Sequence, residues 1–518
     1  MQAADRVERI TGEFSTVPEL MRAVVAAHPD REAFVDGTIR LTFSAWDRAA
    51  DRVATALAAA GVAKGDVVCL ALPSSADYAV CYQAAMRLGA ITSGINPRLG
   101  PNEITSILAR TSPRVTVVDE AAASLPLSAD AGHVIPRATL AAIVADGPAI
   151  DPSRLPHVES SDPIAIVWTS GTTGQPKGAV FDHVCLKAMV DGAGALSEPG
   201  DRRLSPLPFA HVAYMTRVWD ELVHVITTVI VPTPWTAVEG LRIIERERVT
   251  VGQGVPSQWQ MILALPEFDE VDLSSLRLAG TGAARAPAEM VREMRERLGC
   301  PVIVRYASTE ASLATGSRPG DPDDIVALTV GRPSGGVALR LVESGGAPIT
   351  NTGPDAVGVV QLRSRAQMRG YWKDPEQTAT VVDDDGWLTT GDLGWLDDTG
   401  NLTLVGRQTE MFIRGGYNVY PAEVEAVLSE HPMVARVAVV AVSEARLGEI
   451  GVACVVPVQG KAPTLDELRT FCRLRLASYK APDRLTLLPE LPLTPMLKVD
   501  KRALLATLDV KPDDSPGG

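Results

Sequence analysis

The segment from Thr169 to Gly178 carries the residue types that bind phosphate groups. It reads TSGTTGQPKG and follows an apolar run, Ile164 to Trp168, that is typical of a buried strand. Glycines leave backbone N–H groups accessible, and the hydroxyls and the Lys177 ammonium add further donors for an anion. The segment is not a Walker A loop, because Gly178 stands where that motif has Ser or Thr. We predict a phosphate-binding loop here; a flexible turn is the alternative.

Two acidic residues also stand where the chain is predicted to turn. Glu310 ends the sequence YASTE, just past an apolar strand from 302 to 306, and α/β sheets bind ligands at such strand ends. Asp392 lies in the turn-rich sequence GDL and could accept hydrogen bonds from sugar hydroxyls. The alternatives are that Thr309 and Glu310 cap a helix beginning ASLA, and that Asp392 is an ordinary turn residue.

The elements that must position these residues form several units. Helices and strands alternate from 42 to 118 and again from 183 to 306, which predicts parallel sheets covered by helices. The Ala- and Pro-rich stretch 121–163 is predicted to be a surface connection. Short strands between Gly, Asp and Asn turns predict a small antiparallel β subdomain or barrel over about 331–407. A compact α+β unit follows, with a disordered tail from 511 to 518.

The bulk composition limits the class of protein. A chain of 518 residues is too long for one core, and 46% apolar with 22% charged residues is typical of a soluble globular enzyme. The net charge of −14 argues against nucleic acid or an anionic membrane as a partner. The sequence shows no membrane span or signal peptide, and its six scattered cysteines predict free thiols in a reducing cytoplasm. Frequent Arg and Ala with sparse Lys suggests a GC-rich bacterial genome.

The string TSGTTGQPKG resembles the phosphate-loop signature of the adenylate-forming (ANL) superfamily, which includes acyl-CoA synthetases, peptide-synthetase adenylation domains and beetle luciferases. YASTE, GDL, GRQTE and RGGYNVYP follow in that family's order, and the resemblance runs from about Phe34 to about Leu505. It implies a large α/β domain of parallel sheets with a β-barrel-like subdomain, residues 1–407. A compact, mobile α+β C-terminal domain, residues 408–518, would follow it.

The resemblance also implies an activity. A hydrophobic carboxylic acid would react with ATP and Mg²⁺ to give acyl-AMP and pyrophosphate, and CoA would then take the acyl group and release AMP. A freestanding adenylation enzyme that loads a carrier protein is the alternative within the superfamily. A nucleotide-binding regulatory protein whose catalysis has decayed is the alternative from another class. A homodimer is compatible with the sequence.

Motif by motif, the resemblance implies the nucleotide contacts. Thr309 would meet the α-phosphate, and Glu310 would help to hold Mg²⁺. Asp392 and Arg407 would bind the ribose. The phosphates would be held by Thr169, Ser170, Gly171, Thr172, Thr173, Gly174 and Lys177, and the adenine by Gly282, Ala283, Ala284 and Tyr306.

The same resemblance assigns the moving parts. Lys498 would be the catalytic lysine, because a long cation can bridge the attacking carboxylate and the α-phosphate. Lys501, out of motif register, is the weaker candidate. The C-terminal domain would turn about Thr409, and Gly415 and Gly416 would admit the pantetheine arm of CoA; a plain tight turn is the alternative. The sequence departs from the family at Leu497, where Gly is usual, and at Thr409, where Asp or Lys is usual; the acidic Glu410 could take over part of the hinge role.

Small and apolar residues suggest a roomy acid pocket. The predicted lining residues are His211, Val212, Ala213, Gly280, Ala307 and Ala314. Ala307 replaces the family's usual Gly, and His211 could line the thiol tunnel or be a core histidine. The Phe209–His211 region lacks the Asp that amino-acid-activating relatives use, which favours an acid without an α-amino group. We therefore expect a bulky aromatic, polycyclic or terpenoid acid, or a long-chain acid.

Overall fold

The computed structural model describes residues 13–119, 129–170, 176–343, 345–494 and 499–508. Its α-helices are α1 (Val17–Ala27), α2 (Phe43–Ala59), α3 (Ala76–Arg87), α4 (Pro101–Thr111), α5 (Arg137–Asp146), α6 (His183–Ala193), α7 (Val212–Met215), α8 (Val218–Val223), α9 (Ala237–Arg246), α10 (Pro256–Leu263), α11 (Ala288–Arg297), α12 (Asp323–Leu328), α13 (Pro375–Ala379), α14 (Pro421–Ser429), α15 (Leu465–Arg473) and α16 (Lys501–Leu508).

The strands follow the predicted order, with parallel sheets first and antiparallel strands later. They are β1 (Glu32–Asp36), β2 (Ile39–Thr42), β3 (Val67–Ala71), β4 (Ile91–Gly94), β5 (Val115–Val118), β6 (His133–Pro136), β7 (Pro163–Ser170), β8 (Pro176–Asp182), β9 (Arg202–Ser205), β10 (Thr227–Ile230), β11 (Val251–Gly254), β12 (Leu278–Gly282), β13 (Val302–Ser308), β14 (Ser312–Gly316), β15 (Arg332–Pro333), β16 (Val337–Val342), β17 (Pro348–Ile349), β18 (Gly358–Ser364), β19 (Leu388–Leu396), β20 (Leu402–Arg407), β21 (Phe412–Arg414), β22 (Tyr417–Val419), β23 (Val434–Glu444), β24 (Gly448–Pro457) and β25 (Arg484–Leu487).

The first sheet has the strand order β6-β5-β3-β4-β7-β8. Its first five strands are parallel, and β8 turns back antiparallel to β7. Polar residues start the helices on its faces: Ser75, for example, accepts a hydrogen bond from the backbone of Tyr78 at the start of α3. The predicted parallel sheet with helices is confirmed.

One prediction about this sheet is wrong. The stretch 121–163, expected to be only a surface connection, contains β6 and α5, and β6 pairs in parallel with β5, Val115 opposite His133. The hydrophobic pattern of this stretch is weak, because β6 is a four-residue edge strand with only Ile135 buried and α5 buries only Leu140. Neither element shows the periodicity by which a strand or helix is recognised.

The second sheet has the order β15-β14-β13-β12-β11-β9-β10-β1-β2, and its central strands are parallel. A main hydrophobic cluster packs α1, α2, α3, α6 and α8 against both sheets, and a second fills the space around α9, α10 and α11. The predicted α/β class of the N-terminal part is confirmed.

The two smaller units follow in the predicted order. A five-stranded antiparallel sheet, β17-β16-β18-β19-β20, forms the β subdomain, and Asp392 of β19 lies directly opposite Arg407 of β20. After it, β22-β21-β24-β23, with β25 parallel to β24, carries α14, α15 and α16. This is the predicted α+β unit.

The segment from Arg369 to Trp372 lies along the outer edge of β8. The backbone N–H groups of Arg369 and Trp372 donate to the carbonyls of Val180 and Gly178, at 2.8 and 2.7 Å, and the N–H of Val180 donates to the carbonyl of Gly370 at 3.0 Å. The Arg369 guanidinium also donates to Asp182 at 2.6 Å. A piece of chain from the β subdomain therefore covers the last strand of the first sheet.

Within the residues described, no helix combines the length and apolar character that crossing a membrane requires. All six cysteines are buried and unpaired.

Candidate active site

The predicted phosphate loop connects the two strands of a hairpin. β7 and β8 pair so that Thr169 lies opposite Lys177 and Trp168 lies opposite Gly178. Gly171, Thr172, Thr173 and Gly174 lie outside the described residues, as does the side chain of Ser170. At Gly178 a Cβ atom would lie 2.6 Å from Cγ2 of Ile166, so this glycine is required by packing within the hairpin.

An aromatic residue joins the loop lysine to the predicted metal-binding carboxylate. Nζ of Lys177 lies 5.4 Å from the ring centroid of Tyr371, and the Tyr371 hydroxyl donates to Oε1 of Glu310 at 2.9 Å. Burial, with the Glu310 carboxylate beside it, raises the pKa of Tyr371. Tyr371 was not among the predicted site residues. The only signal for it was the aromatic pair Tyr371–Trp372 in a polar stretch.

Thr309 and Glu310 occupy the turn of a β hairpin. The following residues form β14, which pairs antiparallel with β13, so the alternative that these two residues cap a helix is wrong. The turn is held by Oγ of Ser308, which accepts from the N–H of Ala311, and by the carbonyl of Glu310, which accepts from the N–H of Met368. The Glu310 side chain therefore projects from a fixed turn beside Tyr371.

Asp392 is the centre of a buried polar cluster. The Tyr306 hydroxyl donates to Oδ2 of Asp392 at 2.5 Å, and Nε of Arg407 lies 2.9 Å from Oδ1. Asp392 is only 6% exposed, whereas Arg407 reaches solvent. Gly391 has a φ of +74°, and the hydroxyl of Thr390 accepts from the N–H of Asp392. Asp392 is thus more than an ordinary turn residue, and each carboxylate oxygen keeps a further lone pair.

The electrostatics of this cluster follow from its contacts. The Asp392 carboxylate, more than any other group, raises the pKa of Arg407. Burial, together with the nearby Asp392 carboxylate, raises the pKa of Tyr306 well above its ordinary value. Tyr306 is therefore a neutral donor and Arg407 a permanent cation, and both are aimed at one carboxylate.

The predicted adenine-edge segment is a tight loop after β12. A Cβ at Gly282 would lie 2.5 Å from the carbonyl oxygen of Arg305, so only glycine fits there. Ala283 has a φ of +66°, a left-handed conformation that costs an alanine roughly 1–2 kcal/mol. Ala284 is exposed. Strain of this kind concentrates at ligand-binding positions.

The predicted acid-pocket residues divide into two groups. Val212, Ala314 and Tyr306 belong to one buried cluster, in which Phe209 stacks on Tyr214 with ring centroids 3.6 Å apart. Ala307 lies near it on β13, His211 caps α7 by accepting from the N–H of Ala213 at 3.3 Å, and Ala213 is exposed. Gly280 faces elsewhere, because its Cβ would contact Leu196 of a separate small cluster.

A surface groove lies beside this cluster, which it meets at Ala210. It lies between the loops that follow β3, β4, β9 and β10, close to His211, and includes the exposed Arg98. Its other lining residues include Pro73, Asn96, Pro208, Trp235 and Gln258. The sequence did not predict this groove, because four separate loops build it.

Lys498 lies outside the described residues. The structure does describe Lys501, the weaker candidate for the catalytic lysine. Nζ of Lys501 lies 2.7 Å from Oε2 of Glu410 and 3.0 Å from Oε1 of Glu425. These two carboxylates raise the pKa of Lys501 against the effect of burial. An ammonium held by two carboxylates is a poor candidate for the catalytic cation; Lys498 stays a prediction. It also means that the Glu410 charge is already paired.

The hairpin of β21 and β22 carries the predicted thiol-passing glycines. Gly415 and Gly416 have φ values of +57° and +87°, and both are exposed. Nothing lies within 4 Å of the position that a Cβ at Gly416 would take. Thr409, the predicted hinge, is also exposed and lies two residues after the end of β20. The hairpin turn faces solvent in this orientation.

Comparison with known proteins agrees with this geometry. The model of the family described as AMP-binding enzyme matches residues 21–372, and that of the AMP-binding enzyme C-terminal domain matches residues 423–498. The chain belongs to the AMP-binding enzyme family. The predicted membership of the adenylate-forming superfamily is confirmed.

Two similar sequences are CoA ligases. The indoleacetate–CoA ligase of Aromatoleum aromaticum is 35% identical over 87% of this chain and 90% of its own length. The 3-[(3aS,4S,7aS)-7a-methyl-1,5-dioxo-octahydro-1H-inden-4-yl]propanoyl:CoA ligase of Mycobacterium tuberculosis is 35% identical over 95% of this chain and 99% of its own. The AMP-binding enzyme described here is thus an AMP-forming acid–thiol ligase of the acyl-CoA synthetase type.

Solved structures show the same architecture. The anthranilate CoA ligase AuaEII, in complex with anthranoyl-AMP, superposes with a TM-score of 0.87 at 25% identity, covering 95% of this chain and 97% of its own. The amide bond synthetase McbA from Marinactinospora thermotolerans superposes with a TM-score of 0.86 at 28% identity, covering 95% of this chain and 99% of its own. The predicted fold class is confirmed.

The donor set of the site fits a magnesium ion that arrives with the nucleotide. Among the described residues no group of three or more His, Cys, Asp or Glu side chains could hold a metal. Glu310 offers one hard carboxylate beside Lys177 and Tyr371. Mg²⁺ is commonly held by one or two carboxylates together with substrate phosphates, so this arrangement suits it.

Proposed function

We propose that this AMP-binding enzyme activates a hydrophobic carboxylic acid with MgATP, forming acyl-AMP and pyrophosphate, and then transfers the acyl group to CoA with release of AMP. The observation that carries the proposal is the convergence of Tyr306, Asp392 and Arg407, beside the contact of Lys177 and Glu310 with Tyr371. These residues come from distant parts of the chain, and together they offer partners for ribose, phosphate and Mg²⁺.

In the first half-reaction the chain holds the nucleotide and neutralises the charge that develops at the α-phosphorus. Asp392 accepts from the ribose hydroxyls while Arg407 stays paired with it, and Thr309 meets the α-phosphate. Lys177 and the loop before it, Thr169 to Gly174, hold the β- and γ-phosphates. Glu310 would hold Mg²⁺, which adds positive charge between the phosphates. Lys498 bridges the attacking carboxylate and the α-phosphate.

In the second half-reaction the C-terminal domain, 408–518, turns about Thr409 and brings Gly416 towards the acyl carbonyl. Two observations support a division near residue 407. Separate family models match 21–372 and 423–498, and Arg407 ends β20, the last strand of the β subdomain. The exposed Gly415–Gly416 turn belongs to the orientation in which the hairpin is away from the acid. The thiol then attacks through the space that a missing Cβ leaves open.

The acid is proposed to be bulky and apolar. The similar ligases act, by their names, on indoleacetate and on a dioxo-octahydroindenyl propanoate, both of which carry fused rings. Here Ala314, Val212 and Ala307 offer small side chains against the stacked pair Phe209 and Tyr214. Small residues beside an aromatic wall favour a ring system over a short acid.

CoA is proposed as the acceptor, with a carrier-protein thiol as the alternative. The groove beside His211 joins an exposed cation, Arg98, to an indole, Trp235. A guanidinium and an aromatic face suit the phosphates and adenine of the CoA nucleotide. His211 would then stand between the groove and the acid, which gives it a place in the thiol tunnel.

An acid panel tests the proposal. Pyrophosphate release is measured with indole-3-acetate, anthranilate, bicyclic propanoates, long-chain fatty acids and acetate, each with and without CoA or a phosphopantetheinylated carrier protein. We expect fused-ring acids to give the fastest release and CoA to be consumed stoichiometrically. Consumption of the carrier thiol in place of CoA would establish the alternative acceptor. No release with any acid would contradict the proposal and favour a protein whose catalysis has decayed.

A further inference from the structure

Arg285 makes a contact between the two proposed domains. It lies in the loop between β12 and α11, directly after Ala283 and Ala284 of the adenine-edge segment. NH1 of Arg285 donates to the carbonyl oxygen of Ala422 at 2.8 Å. Because Ala422 lies beyond the proposed hinge at Thr409, this hydrogen bond crosses from the N-terminal to the C-terminal domain.

The partner of Arg285 lies at the base of the thiol-passing hairpin. Ala422 is the second residue of α14, which starts at Pro421, two residues after β22 ends. Burial lowers the pKa of Arg285, and the carboxylates of Glu425, Glu423 and Glu430 oppose that effect. The contact therefore fixes the end of the unit whose turn carries Gly416.

The contact exists in the orientation that keeps this hairpin turn in solvent. Residues before the hinge stay with the N-terminal domain: the N–H of Gln408 donates to the carbonyl of Gly391 at 2.8 Å, and Arg407 pairs with Asp392. Ala422 follows the hinge, whereas Arg285 precedes it. Any large rotation about Thr409 moves Ala422 away, and a 2.8 Å hydrogen bond does not survive such a movement.

We propose that Arg285 is a positioning residue that stabilises the domain orientation of the first half-reaction, by holding the start of α14 against the adenine-edge loop. The inference rests on the proposed two-step function. It predicts that Arg285 favours acyl-AMP formation and must release Ala422 before thioester formation. Its removal shifts the domain equilibrium without touching a reacting atom.

The test compares Arg285→Ala with Arg285→Lys and with the control Arg292→Ala. Arg292 lies nearby on α11, is partly exposed, and pairs with Glu289 and Asp324 of the N-terminal domain. Domain orientation is read by fluorescence energy transfer between dyes on Ser274→Cys and Ala477→Cys, both exposed positions. The native thiols do not interfere, because all six are buried. Acid-dependent pyrophosphate exchange and thioester formation from supplied acyl-AMP are measured separately, with the best acid of the panel.

We expect Arg285→Ala to populate a second energy-transfer efficiency and to slow pyrophosphate exchange about three- to tenfold, the factor that corresponds to the net contribution of one typical hydrogen bond. Thioester formation from acyl-AMP should be unchanged or faster. Arg285→Lys should restore part of the exchange rate, and Arg292→Ala should match the parent.

Two results would overturn the inference. One is that Arg285→Ala shows the same distribution of energy-transfer efficiencies and the same pyrophosphate exchange rate as Arg292→Ala. The other is an equal fall in both half-reactions, which would mean that Arg285 only supports its own loop. If the parent enzyme adenylates no acid, the proposed function fails instead. The fluorescence comparison still reports on the contact in that case.

Discussion

Asp392 illustrates how a single carboxylate can serve both the fold and the nucleotide. Its two oxygens already accept from Tyr306 and pair with Arg407, so the side chain is fixed before any ligand arrives. A fixed acceptor loses little conformational freedom when ribose binds.

Replacing Asp392 with Ala should therefore raise the KM for ATP about 10- to 100-fold, because hydrogen bonds to a charged group are lost. The KM for the acid should change much less. Initial rates, measured with the ATP and acid concentrations varied in turn, give the two KM values. Asp384→Ala, at an exposed site in the same subdomain, is the control. Equal changes in both KM values, with a lowered melting temperature, would mean that Asp392 only supports the pairing of β19 with β20.

Replacements of Lys498 and Lys501 are expected to have very different effects on adenylation. Lys498→Ala should cost on the order of 3 kcal/mol or more of transition-state stabilisation in adenylation, at least a 100-fold slower pyrophosphate exchange. Thioester formation from supplied acyl-AMP should be nearly unaffected.

The neighbouring lysine supplies the control for this prediction. Lys501→Arg keeps the pairing with Glu410 and Glu425 and should behave as the parent does. Normal adenylation by Lys498→Ala would refute the assignment of the catalytic lysine, and Leu497 would then be the first place to look for the reason.

At the scale of elements, the hairpin of β21 and β22 is proposed to act only in the second half-reaction. Gly416→Leu places a branched side chain where the thiol arm must pass, and it also strains a backbone with a φ of +87°. Acyl-CoA formation should fall at least about tenfold, while pyrophosphate exchange stays within about twofold, since only the former needs the passage.

A matched variant isolates the backbone strain in this experiment. Gly460→Leu adds the same side chain at a φ of +76°, in another exposed turn of the same domain. Melting curves of both variants show whether either is unfolded. If folded Gly416→Leu makes thioester at the parental rate, the passage lies elsewhere.

How far the sequence predicted these elements depended on the kind of signal. The alternation of helices and strands over 42–118 was predicted correctly, and the strand predicted over 302–306 before the YASTE turn was located to within a few residues. β8 was missed because its Pro, Lys and Gly residues are typical of a loop, and only its pairing with β7 makes it a strand. A local pattern cannot show such pairing.

The contacts between distant residues could not be predicted from the sequence. Tyr371 contacts Glu310 only after β8 and the segment 369–372 have come together. Tyr371 also lies outside every sequence motif of the family resemblance. Arg285 and Ala422 likewise become neighbours only when two units fold against each other. The sequence identified the residue types at the site, and tertiary packing determined which of them touch.

At the scale of the whole molecule, a buried charge cluster lies between β9 and α8. Arg203 and Arg217 contact Asp220 at 3.1 and 2.6 Å, and Arg203 lies 3.5 Å from Glu221. All four side chains are buried. Burial raises the pKa of Glu221 to about 7, despite the opposing effect of the two arginines. Glu221 therefore binds a proton more tightly in the folded than in the unfolded protein.

This shift predicts a pH dependence of stability with a definite sign. Between about pH 4.5 and 7 the folded state holds more protons than the unfolded state, so the Glu221 contribution to stability is present at low pH and falls as pH rises. Glu221→Gln mimics the protonated form. Its melting temperature should match the parent near pH 5 and exceed it near pH 8. A difference that does not vary with pH would contradict the raised pKa.

The segment from Arg369 to Trp372, which pairs along β8, also dictates an order of events during synthesis. The hairpin that carries the nucleotide loop leaves the ribosome long before the residues that cover its outer strand. Until they arrive, β8 offers unpaired N–H and C=O groups to any other nascent chain. The enzyme is therefore expected to gain ATP binding late in translation, and fragments that end before residue 369 should be prone to associate through this strand.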